Sequence, residues 1–281
     1  MSQEPLKTAM TNPEVDSAFA GSIPQFYERY LVPLIFEPYA AKLVSCVARQ
    51  MPSEVLEIAA GTGVVTRKLA QMLAPEVSIV ATDLNQPMLD HAALIGTQRN
   101  VQWCQADAMQ LPFVNECFDV VVCQFGVMFF PDRSRAYSEA RRVLRPGGMF
   151  IFNVWDRIEV NEFANVVTQA LAVPFSEDPP RFLARVPHGY HDLAVIAKDL
   201  RQAEFVQSPE VTTLTERSQA VSSRIPALAY CQGTPLRSEI ELRGGLSLSQ
   251  ATDIASAAIE NRFGSGAVES KIQAHVIMIQ K

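Results

Sequence analysis

Three carboxylates follow successive apolar segments in the first half of the chain. Glu57 lies in the apolar run that begins at Val55, Asp83 follows the run 77–81, and Asp107 follows the run 101–105. If these runs are neighbouring parallel strands, their carboxyl ends meet at the edge where an open α/β sheet binds its ligands. Asp83 comes twenty residues after Gly63, a spacing at which an acid can accept hydrogen bonds from both hydroxyls of a ribose.

A glycine turn lies between the first of these runs and a segment with helical spacing. Gly61 and Gly63 predict a strand, a tight turn and a helix whose N-terminus favours an anionic ligand group. A dinucleotide fingerprint needs a third glycine, but Val64, Val65 and Thr66 occupy that stretch. Glu57 would repel a pyrophosphate and can pair with an ammonium. The methionine half of S-adenosylmethionine, with an ammonium and a carboxylate, fits this turn better than a dinucleotide.

The stretch from Glu57 to Gly63, Glu-Ile-Ala-Ala-Gly-Thr-Gly, resembles motif I of the class I S-adenosylmethionine-dependent methyltransferases. The resemblance is to their small-molecule branch, which includes ubiquinone-type methyltransferases, and it is strongest over residues 55–155. Asp107-Ala108, Leu111-Pro-Phe and Phe118-Asp-Val-Val resemble motifs II and III. Ala59 departs from motif I, where the family has glycine, and we expect its extra methyl to tighten cofactor contact slightly.

The resemblance implies S-adenosyl-L-methionine as cofactor and S-adenosyl-L-homocysteine as product. It places Asp83 on the ribose, Leu84 and Met88 beside the adenosine, and Asp107 with the Ala108 N–H on the adenine. Gln124 and Phe125 are expected near the methionyl group and the transferred methyl. The predicted cofactor-binding residues are Glu57, Ala59, Gly61, Gly63, Asp83, Leu84, Met88, Asp107, Ala108, Gln124 and Phe125.

Methyl transfer from a sulfonium is an in-line displacement, so the protein mainly aligns the acceptor and excludes water. A base is needed only if the acceptor must lose a proton. His188 and His191 are the candidates, although the same residues also fit a loop that ends at a polar helix start. Tyr27, Tyr30 and Tyr190 are predicted to line the acceptor pocket. A metal site is not expected, since the histidine pair has no further ligands at suitable spacing.

The elements that must position these residues form an α/β fold. We predict a Rossmann-like seven-stranded mixed sheet of order 3-2-1-4-5-7-6, with strand 7 antiparallel, and a helical cap. Residues 1–50 are predicted to form an N-terminal helical cap segment, which Pro33 and Pro38 break into short pieces. Residues 51–281 form the methyltransferase domain. Insertions at about 173–192 and 218–268 are expected to cover the substrate.

Two boundaries are predicted within the C-terminal part. A helix is expected over Tyr190–Leu200, and a strand over Phe205–Glu216 that pairs with the last strand, Ser270–Gln280. The stretch between these strands, about fifty residues long, is too long for a hairpin loop and supports the cap assignment. Met128, Phe129 and Phe130 are expected in the core.

Bulk composition limits the class of partner. The 281 residues carry a net charge of −6 and 48% hydrophobic residues, and the five cysteines are odd in number and scattered. The acidic charge disfavours a nucleic-acid partner. No apolar run approaches the roughly 20 residues that a membrane helix needs, so membrane insertion is not predicted. We therefore expect a cytoplasmic protein that acts on a small, partly apolar molecule, with room for a homodimer. The sequence does not rank O-, N- and C-acceptors.

Two other functions remain open at this point. An NAD-dependent oxidoreductase is disfavoured by the absent third glycine and by the acid after the third strand. A cofactor-binding regulatory or scaffold protein without turnover would keep Glu57, Asp83 and Asp107 and would lack only the chemistry. Binding of S-adenosylhomocysteine without binding of a nicotinamide cofactor would distinguish a methyltransferase from the oxidoreductase. Detection of methyl transfer would exclude a protein without turnover.

Overall fold

The computed structural model describes residues 16–281, which are built around one seven-stranded sheet. The strand order is β3-β2-β1-β4-β5-β7-β6. Strands β1 to β5 pair in parallel, and β7 pairs antiparallel with both β5 and β6. The predicted order and the antiparallel seventh strand are confirmed.

Helices cover the sheet and its carboxyl edge. The strands are β1 Glu54–Ile58, β2 Ser78–Asp83, β3 Gln102–Gln105, β4 Phe118–Gln124, β5 Leu144–Trp155, β6 Glu210–Ala220 and β7 Val268–Gln280. The α-helices are α1 Ile23–Phe26, α2 Glu37–Arg49, α3 Val64–Met72, α4 Gln86–Ile95, α5 Arg133–Val143, α6 Glu162–Ala172, α7 Phe182–Arg185, α8 Leu193–Gln202, α9 Arg224–Gln232, α10 Leu236–Arg243 and α11 Leu248–Phe263. A π-helix, Tyr27–Phe36, joins α1 to α2, and short 3-10 helices cover Val127–Phe129 and Ile158–Val160.

The central strands consist largely of branched apolar residues that are buried on both faces. Val55 of β1 pairs with Val120 of β4, and Glu57 pairs with Val122. Both valines of β4 are fully buried. Burial on both faces is typical of a parallel sheet covered by helices. Because these strands run the same way, the residues that follow them meet at one edge.

The N-terminal segment was predicted to be broken by prolines, and this is wrong. The helix runs without interruption from Ile23 to Arg49, and Pro33 lies inside the π-helix. Proline has no N–H to donate, and the wider π turn accommodates this loss. Pro38 lies in the first turn of α2, directly after the π-helix, and its fixed φ is compatible with that position.

The same helical run corrects the expectation about apolar segments. An 18-residue window of this 27-residue run has a mean hydropathy of 1.5, so by length and composition the run passes as a membrane span. In the fold, 61% of that window is buried inside the protein. The core helix of a soluble protein passes the same test, and the contacts of α2 with α3 and β5 are those of a core helix.

The predicted boundaries near β6 are shifted. The strand begins at Glu210 rather than Phe205, because Pro209 cannot donate to the ladder. Phe205 instead packs in the core, with its ring 6.2 Å from that of Phe150. Helix α8 begins at Leu193 rather than Tyr190, because the Asp192 side chain caps it by accepting the Ala194 N–H at 2.8 Å.

Two insertions lie beyond the central sheet. The stretch after α6 contains the short helix α7, and residues 221–267 between β6 and β7 contain helices α9, α10 and α11. Helix α9 packs against the π-helix, α11 and α6, and α10 packs against α7. The N-terminal helices and both insertions therefore contact one another on one side of the molecule.

A cavity at the carboxyl edge of the sheet

A cavity lies at the carboxyl ends of β1, β2, β4 and β5. It extends under the π-helix, where Tyr27 lines it, and between the two insertions, where Phe182 and Tyr230 line it. The predicted site residues that line it are Tyr27, Ala59, Gly61, Asp83, Leu84, Met88, Asp107, Ala108, Gln124, Phe125 and His188. The structure thus brings most of the predicted residues into one space, although their individual roles stay predictions.

Asp83, the last residue of β2, ties the glycine turn to the cavity wall. Its carboxylate accepts the Gly61 N–H at 2.8 Å and the Asn85 N–H at 2.8 Å. The residue is 7% exposed, and burial raises the pKa of the carboxyl while the hydrogen bonds oppose the rise. A buried carboxylate of this kind is a strong acceptor for ligand hydroxyls, since each oxygen can accept a further bond.

The glycine turn has the conformation that the spacing predicts. Gly61 has φ +57°, and a Cβ there would lie 3.5 Å from both the Met88 Cε atom and the Tyr27 hydroxyl. Gly63 has φ +83° and ends the turn just before α3; a Cβ there would lie 3.0 Å from the Trp103 ring. Gly61 lines the cavity and Gly63 packs behind it, so only the first glycine faces ligand space.

Ala59 holds a left-handed conformation in the position where the family has glycine. Its φ is +55°, which is strained for a residue with a side chain. Its methyl is accommodated by Gly126, because a Cβ on Gly126 would lie 2.5 Å from the Ala59 Cβ and 2.7 Å from Cys123 Sγ. The alanine and the facing glycine therefore form a matched pair at the floor of the cavity.

Glu57 lies below the turn and does not line the cavity. It is 1% exposed, and its carboxyl accepts the Thr66 hydroxyl at 2.6 Å. Burial raises the pKa of Glu57 to about 8, which the Thr66 hydrogen bond and the charge of Arg67 partly oppose. Its predicted contact with a ligand ammonium stays a prediction, and the structure adds a direct contact with α3.

Asp107 follows β3 at the opposite end of the cavity from the aromatic residues described below. Its Oδ1 accepts the Met109 N–H at 2.8 Å, which fixes the side chain beside Ala106 and Ala108. Leu84 also lines this end and is 50% exposed, so this end of the cavity opens to solvent.

The end of β4 contributes a buried acceptor without a partner. Gln124 Oε1 has no hydrogen-bond partner among the described residues, while its Nε2 contacts the Phe36 carbonyl at 3.5 Å. Phe125 has φ +50°, and its N–H donates to Asn153 Oδ1 at 2.8 Å. A buried polar atom that faces a cavity needs a ligand or water to satisfy it.

Beyond Phe125 the cavity becomes aromatic. Phe125 stacks on Trp155 with ring centroids 3.8 Å apart and an angle of 3° between the planes. Phe36 lies 5.7 Å from Phe125 and 6.2 Å from Trp155, and Tyr27 stacks on Phe36 at 4.9 Å. Burial raises the pKa of Tyr27, so its hydroxyl stays protonated.

His188 is the histidine that reaches the cavity. Its Nδ1 lies 2.8 Å from the Asp156 carbonyl, and burial lowers the pKa of the imidazole to about 4. His191 hydrogen-bonds through Nδ1 to the His188 carbonyl at 2.8 Å and does not line the cavity. The catalytic role predicted for His191 stays a prediction, and the residue is separated from the cavity by His188.

Two of the predicted pocket tyrosines also lie outside the cavity lining. Tyr190 is buried, with its hydroxyl donating to Asp199 at 2.7 Å and lying 3.2 Å from the Tyr137 hydroxyl. Tyr30 packs against the core and lies 5.8 Å from Phe26. Only Tyr27 of the three tyrosines lines the cavity.

Sequence reasoning missed several residues that line the aromatic end. Phe36, Trp155, Phe182 and Tyr230 come from four separate elements, and no spacing connects them. Phe129 lines the cavity together with Phe130, although both were expected in the core. The signal for Trp155 was its position at the end of β5, which is the same edge that holds the other site residues.

An ion pair network joins the segments that cover the cavity. Arg185 of α7 donates to both carboxylate oxygens of Asp16, at 2.5 and 2.7 Å, and to Glu239 of α10 at 2.8 Å. Near Asp16, Phe19 lines the cavity and donates its N–H to Asn85 at 3.2 Å. The N-terminal segment and both insertions are thus linked to one another by Arg185.

The site suits an adenosyl amino acid. Two carboxylates at the ends of β2 and β3, the turn at Gly61 and the unpaired Gln124 oxygen supply acceptors and space along one cavity. Within residues 16–281, no group of three or more His, Cys, Asp and Glu residues has the geometry to hold a metal ion.

Comparison with known protein families identifies the central region. Residues 56–152 match the model of a methyltransferase domain family. The ubiquinone/menaquinone biosynthesis C-methyltransferase of Ectopseudomonas mendocina is 41% identical over 103 residues, which are 35% of this chain and 40% of that protein. The match therefore spans less than half the length of this relative.

Solved structures extend the likeness to the whole fold. A candidate methyltransferase from Bacillus halodurans has a TM-score of 0.56 at 20% identity, over 86% of this chain and 98% of that one. A Haemonchus contortus N-methyltransferase, solved with phosphomonomethylethanolamine and S-adenosylhomocysteine, has a TM-score of 0.51 at 17% identity, over 93% of this chain and 60% of that one. At these identities the likeness establishes the fold.

Proposed function

We propose that this chain, in which residues 56–152 are a class I S-adenosylmethionine-dependent methyltransferase domain, transfers a methyl group to a small-molecule acceptor. The family match and the fold support the reaction class. The observation that carries the proposal is the continuous cavity, which joins the carboxylates of Asp83 and Asp107 to an aromatic end. One end fits an adenosyl group and the other a second, apolar reactant.

We assign the parts of the cofactor to neighbouring residues as the motif resemblance implies, and the strand order supports this assignment. Asp107 after β3 accepts from the adenine amino group, and Asp83 after β2 accepts from the ribose hydroxyls. The turn at Gly61 lies beside the methionyl group, and Gln124 with Phe125 after β4 faces the transferred methyl. The unpaired Gln124 oxygen supports this arrangement, because a bound ligand would satisfy it.

S-adenosylmethionine, when bound, supplies an activated methyl on a positively charged sulfur. The protein then has to hold the acceptor in line with that methyl and to keep water out. Positioning of this kind contributes about 7–11 kcal/mol at best. Phe36, Phe125 and Trp155 form packed aromatic walls at the acceptor end, and such walls fix a reactant and exclude water.

The segments over the cavity act as the cap. The N-terminal helices through residue 50, together with residues 173–192 and 218–268, enclose the acceptor end through Tyr27, Phe182 and Tyr230. Residues 1–15 of the predicted N-terminal segment lie outside the described residues. The Arg185 network that joins these segments supports a cap that moves as a unit.

The cellular setting follows from the same features. We assign the protein to the cytoplasm, acting on a small molecule without nucleic acid and without membrane insertion. The acidic net charge of −6 and the burial of the apolar helical run support this assignment. A homodimer is compatible with the long, exposed edge strand β6.

Calorimetric titration with S-adenosylhomocysteine and, separately, with NADH tests the proposed function. One molecule of S-adenosylhomocysteine should bind per chain, and NADH should not bind. Methyl transfer to an acceptor then separates an enzyme from a cofactor-binding protein without turnover. Binding of NADH in preference to S-adenosylhomocysteine would contradict the proposal.

A further inference from the structure

We propose that the acceptor is a neutral, flat molecule that presents a hydroxyl group to His188 Nε2, and that His188 takes the hydroxyl proton as the oxygen receives the methyl. This inference rests on the proposed function and adds the substrate class, the acceptor atom and the catalytic residue. Four observations carry it: the charges along the cavity, the shape of its aromatic end, the tautomer of His188 and the bonding of the neighbouring polar groups.

The charge of the cavity excludes an anionic acceptor. Among residues 16–281, no lysine or arginine lines it, and its carboxylates, Asp83 and Asp107, lie at the cofactor end. A carboxylate or phosphate on the acceptor would be buried among aromatic rings without a cationic side chain, and the positive charge on the sulfur is lost when the methyl is transferred. Burying an unpaired charge is strongly unfavourable, so the acceptor is uncharged where it contacts this end.

The aromatic walls favour a flat molecule. Trp155 and Phe125 lie parallel at 3.8 Å, and Phe36 packs beside both rings. Ring stacks of this kind leave planar surfaces rather than a round chamber, and aromatic partners pack best against planar groups. The His188 ring lies 6.0 Å from Trp155, at the border of this surface.

The tautomer of His188 is fixed by the backbone. Nδ1 lies 2.8 Å from the Asp156 carbonyl oxygen, and a carbonyl oxygen can only accept. Nδ1 therefore carries the proton, and Nε2 has the lone pair. Burial, which lowers the pKa of the imidazole to about 4, keeps the ring neutral and Nε2 available at neutral pH.

Two neighbouring polar residues, Asn161 and Thr234, have their acceptors in use. Asn161 donates to the carbonyls of Asp156, Arg157 and Gln273 and accepts the Gln273 N–H at 3.0 Å. The Thr234 hydroxyl donates to the Tyr230 carbonyl at 2.7 Å and accepts the Leu236 N–H. His188 Nε2 makes no hydrogen bond with the described residues. Gln124 Oε1 also has no partner among them, but an amide oxygen does not take up a proton, so His188 Nε2 is the acceptor that we assign to the hydroxyl.

The proposed step balances. The acceptor oxygen forms a bond to the methyl carbon as the bond from that carbon to sulfur breaks, and the sulfur keeps the electron pair and becomes neutral. The O–H bond breaks, and its proton passes to His188 Nε2. One positive charge thus leaves the sulfur and one appears on the imidazole. The total charge of the apolar cavity is unchanged, and the proton later passes to solvent.

Three naphthalene probes test the substrate class by calorimetry on the protein saturated with S-adenosylhomocysteine. 2-Naphthol should bind about 3- to 10-fold more tightly than 2-methoxynaphthalene, as expected for one added hydrogen bond. 2-Naphthoate should bind at least about 100-fold more weakly than 2-naphthol, because its charge has no partner. Equal affinity for naphthoate, or no binding of naphthol, overturns the inference.

Variants of His188 test the catalytic role with S-adenosylmethionine and 2-naphthol. His188→Gln keeps an acceptor but cannot take a proton, so naphthol should bind within about threefold of the wild type while methyl transfer falls about 100- to 10,000-fold. His188→Phe should also lose the preference for naphthol over methoxynaphthalene. His91→Gln, a histidine of α4 outside the cavity lining, is the matched control and should change neither value.

The outcomes separate this inference from the proposed function. If S-adenosylhomocysteine does not bind, the proposed function fails. If it binds and His188→Gln transfers methyl at the wild-type rate, or if 2-naphthylamine is methylated and 2-naphthol is not, the proposed function stands and this inference fails. A rate that depends on His191 and not on His188 contradicts it in the same way.

Discussion

Asp83 gives the most direct prediction from the geometry of the cofactor end. Its carboxylate is nearly buried and already holds the Gly61 and Asn85 N–H groups at 2.8 Å. In the proposed complex it also accepts from the ribose. Asp83→Asn keeps the size of the side chain, removes the charge, and replaces one acceptor oxygen with an NH₂ group.

The expected cost comes from the lost charged hydrogen bonds. A hydrogen bond to a charged group contributes about 1.5–3 kcal/mol, and a neutral one about 0.5–1.5 kcal/mol. The variant keeps one acceptor, so we expect binding of S-adenosylhomocysteine to weaken by about 1–3 kcal/mol, which is a rise of about 5- to 150-fold in Kd. Calorimetry with both proteins in the same buffer measures the change in Kd.

Asp119→Asn is the matched control. Asp119 lies on β4 at the opposite edge of the sheet, where it accepts the N–H groups of Ser53 and Glu54 at 2.8 and 2.9 Å and pairs with Arg145. Asp119→Asn weakens the same kind of N–H to carboxylate hydrogen bonds, but away from the cavity. This variant should therefore be less stable, while its Kd for S-adenosylhomocysteine stays the same. An unchanged Kd in Asp83→Asn, or an equal rise in both variants, would refute the assignment of Asp83 to the ribose.

Three further predictions test the floor, the cover and the buried acid of the site. Gly126→Ala should lower the free energy of unfolding by about 1–3 kcal/mol through overpacking, and adding Ala59→Gly should restore part of it in a double-mutant cycle measured by denaturant unfolding; additive effects would contradict the matched pair. The Arg185→Met variant should release S-adenosylhomocysteine about 3- to 10-fold faster in stopped-flow experiments, because it loses the ion pairs that join the segments covering the cavity. An unchanged release rate would show that these ion pairs do not limit dissociation. Glu57 has a pKa of about 8 in the folded protein against about 4.5 in the unfolded chain, so it binds its proton more tightly when the protein is folded. Stability should therefore fall as pH rises from about 5 to 8, and Glu57→Gln should flatten this dependence in thermal unfolding. Parallel pH profiles of the two proteins would contradict the raised pKa.

The sheet and much of the cofactor end were predictable because their signals are local. Apolar runs with an acid or a glycine turn at their ends predicted which residues follow which strands, and parallel pairing then brings Asp83 and Asp107 to one edge. Ala59 and Gly61 were identified from a short contiguous motif. Even so, the motif carried no information on side-chain direction, and Glu57 turned out to face Thr66 of α3.

The aromatic end of the cavity was harder to predict because it is assembled from distant segments. Phe36, Trp155, Phe182 and Tyr230 are brought together only by the tertiary fold, and each alone is indistinguishable from a core residue in the sequence. The π-helix also escaped prediction, because Pro33 is a helix breaker by local rules and the π turn depends on packing around it. The two histidines looked equivalent in sequence, and only the fold places His188 in front of His191.

A crystal structure of the protein with S-adenosylhomocysteine tests the central claim most directly. The claim is that carboxylates at the ends of adjacent parallel strands hold an adenosyl amino acid. The ribose hydroxyls should lie about 3 Å from the Asp83 carboxylate oxygens, with the adenine beside Asp107 and the sulfur towards Phe125. An adenosyl group bound elsewhere, or a ribose with no contact to Asp83, would contradict the account.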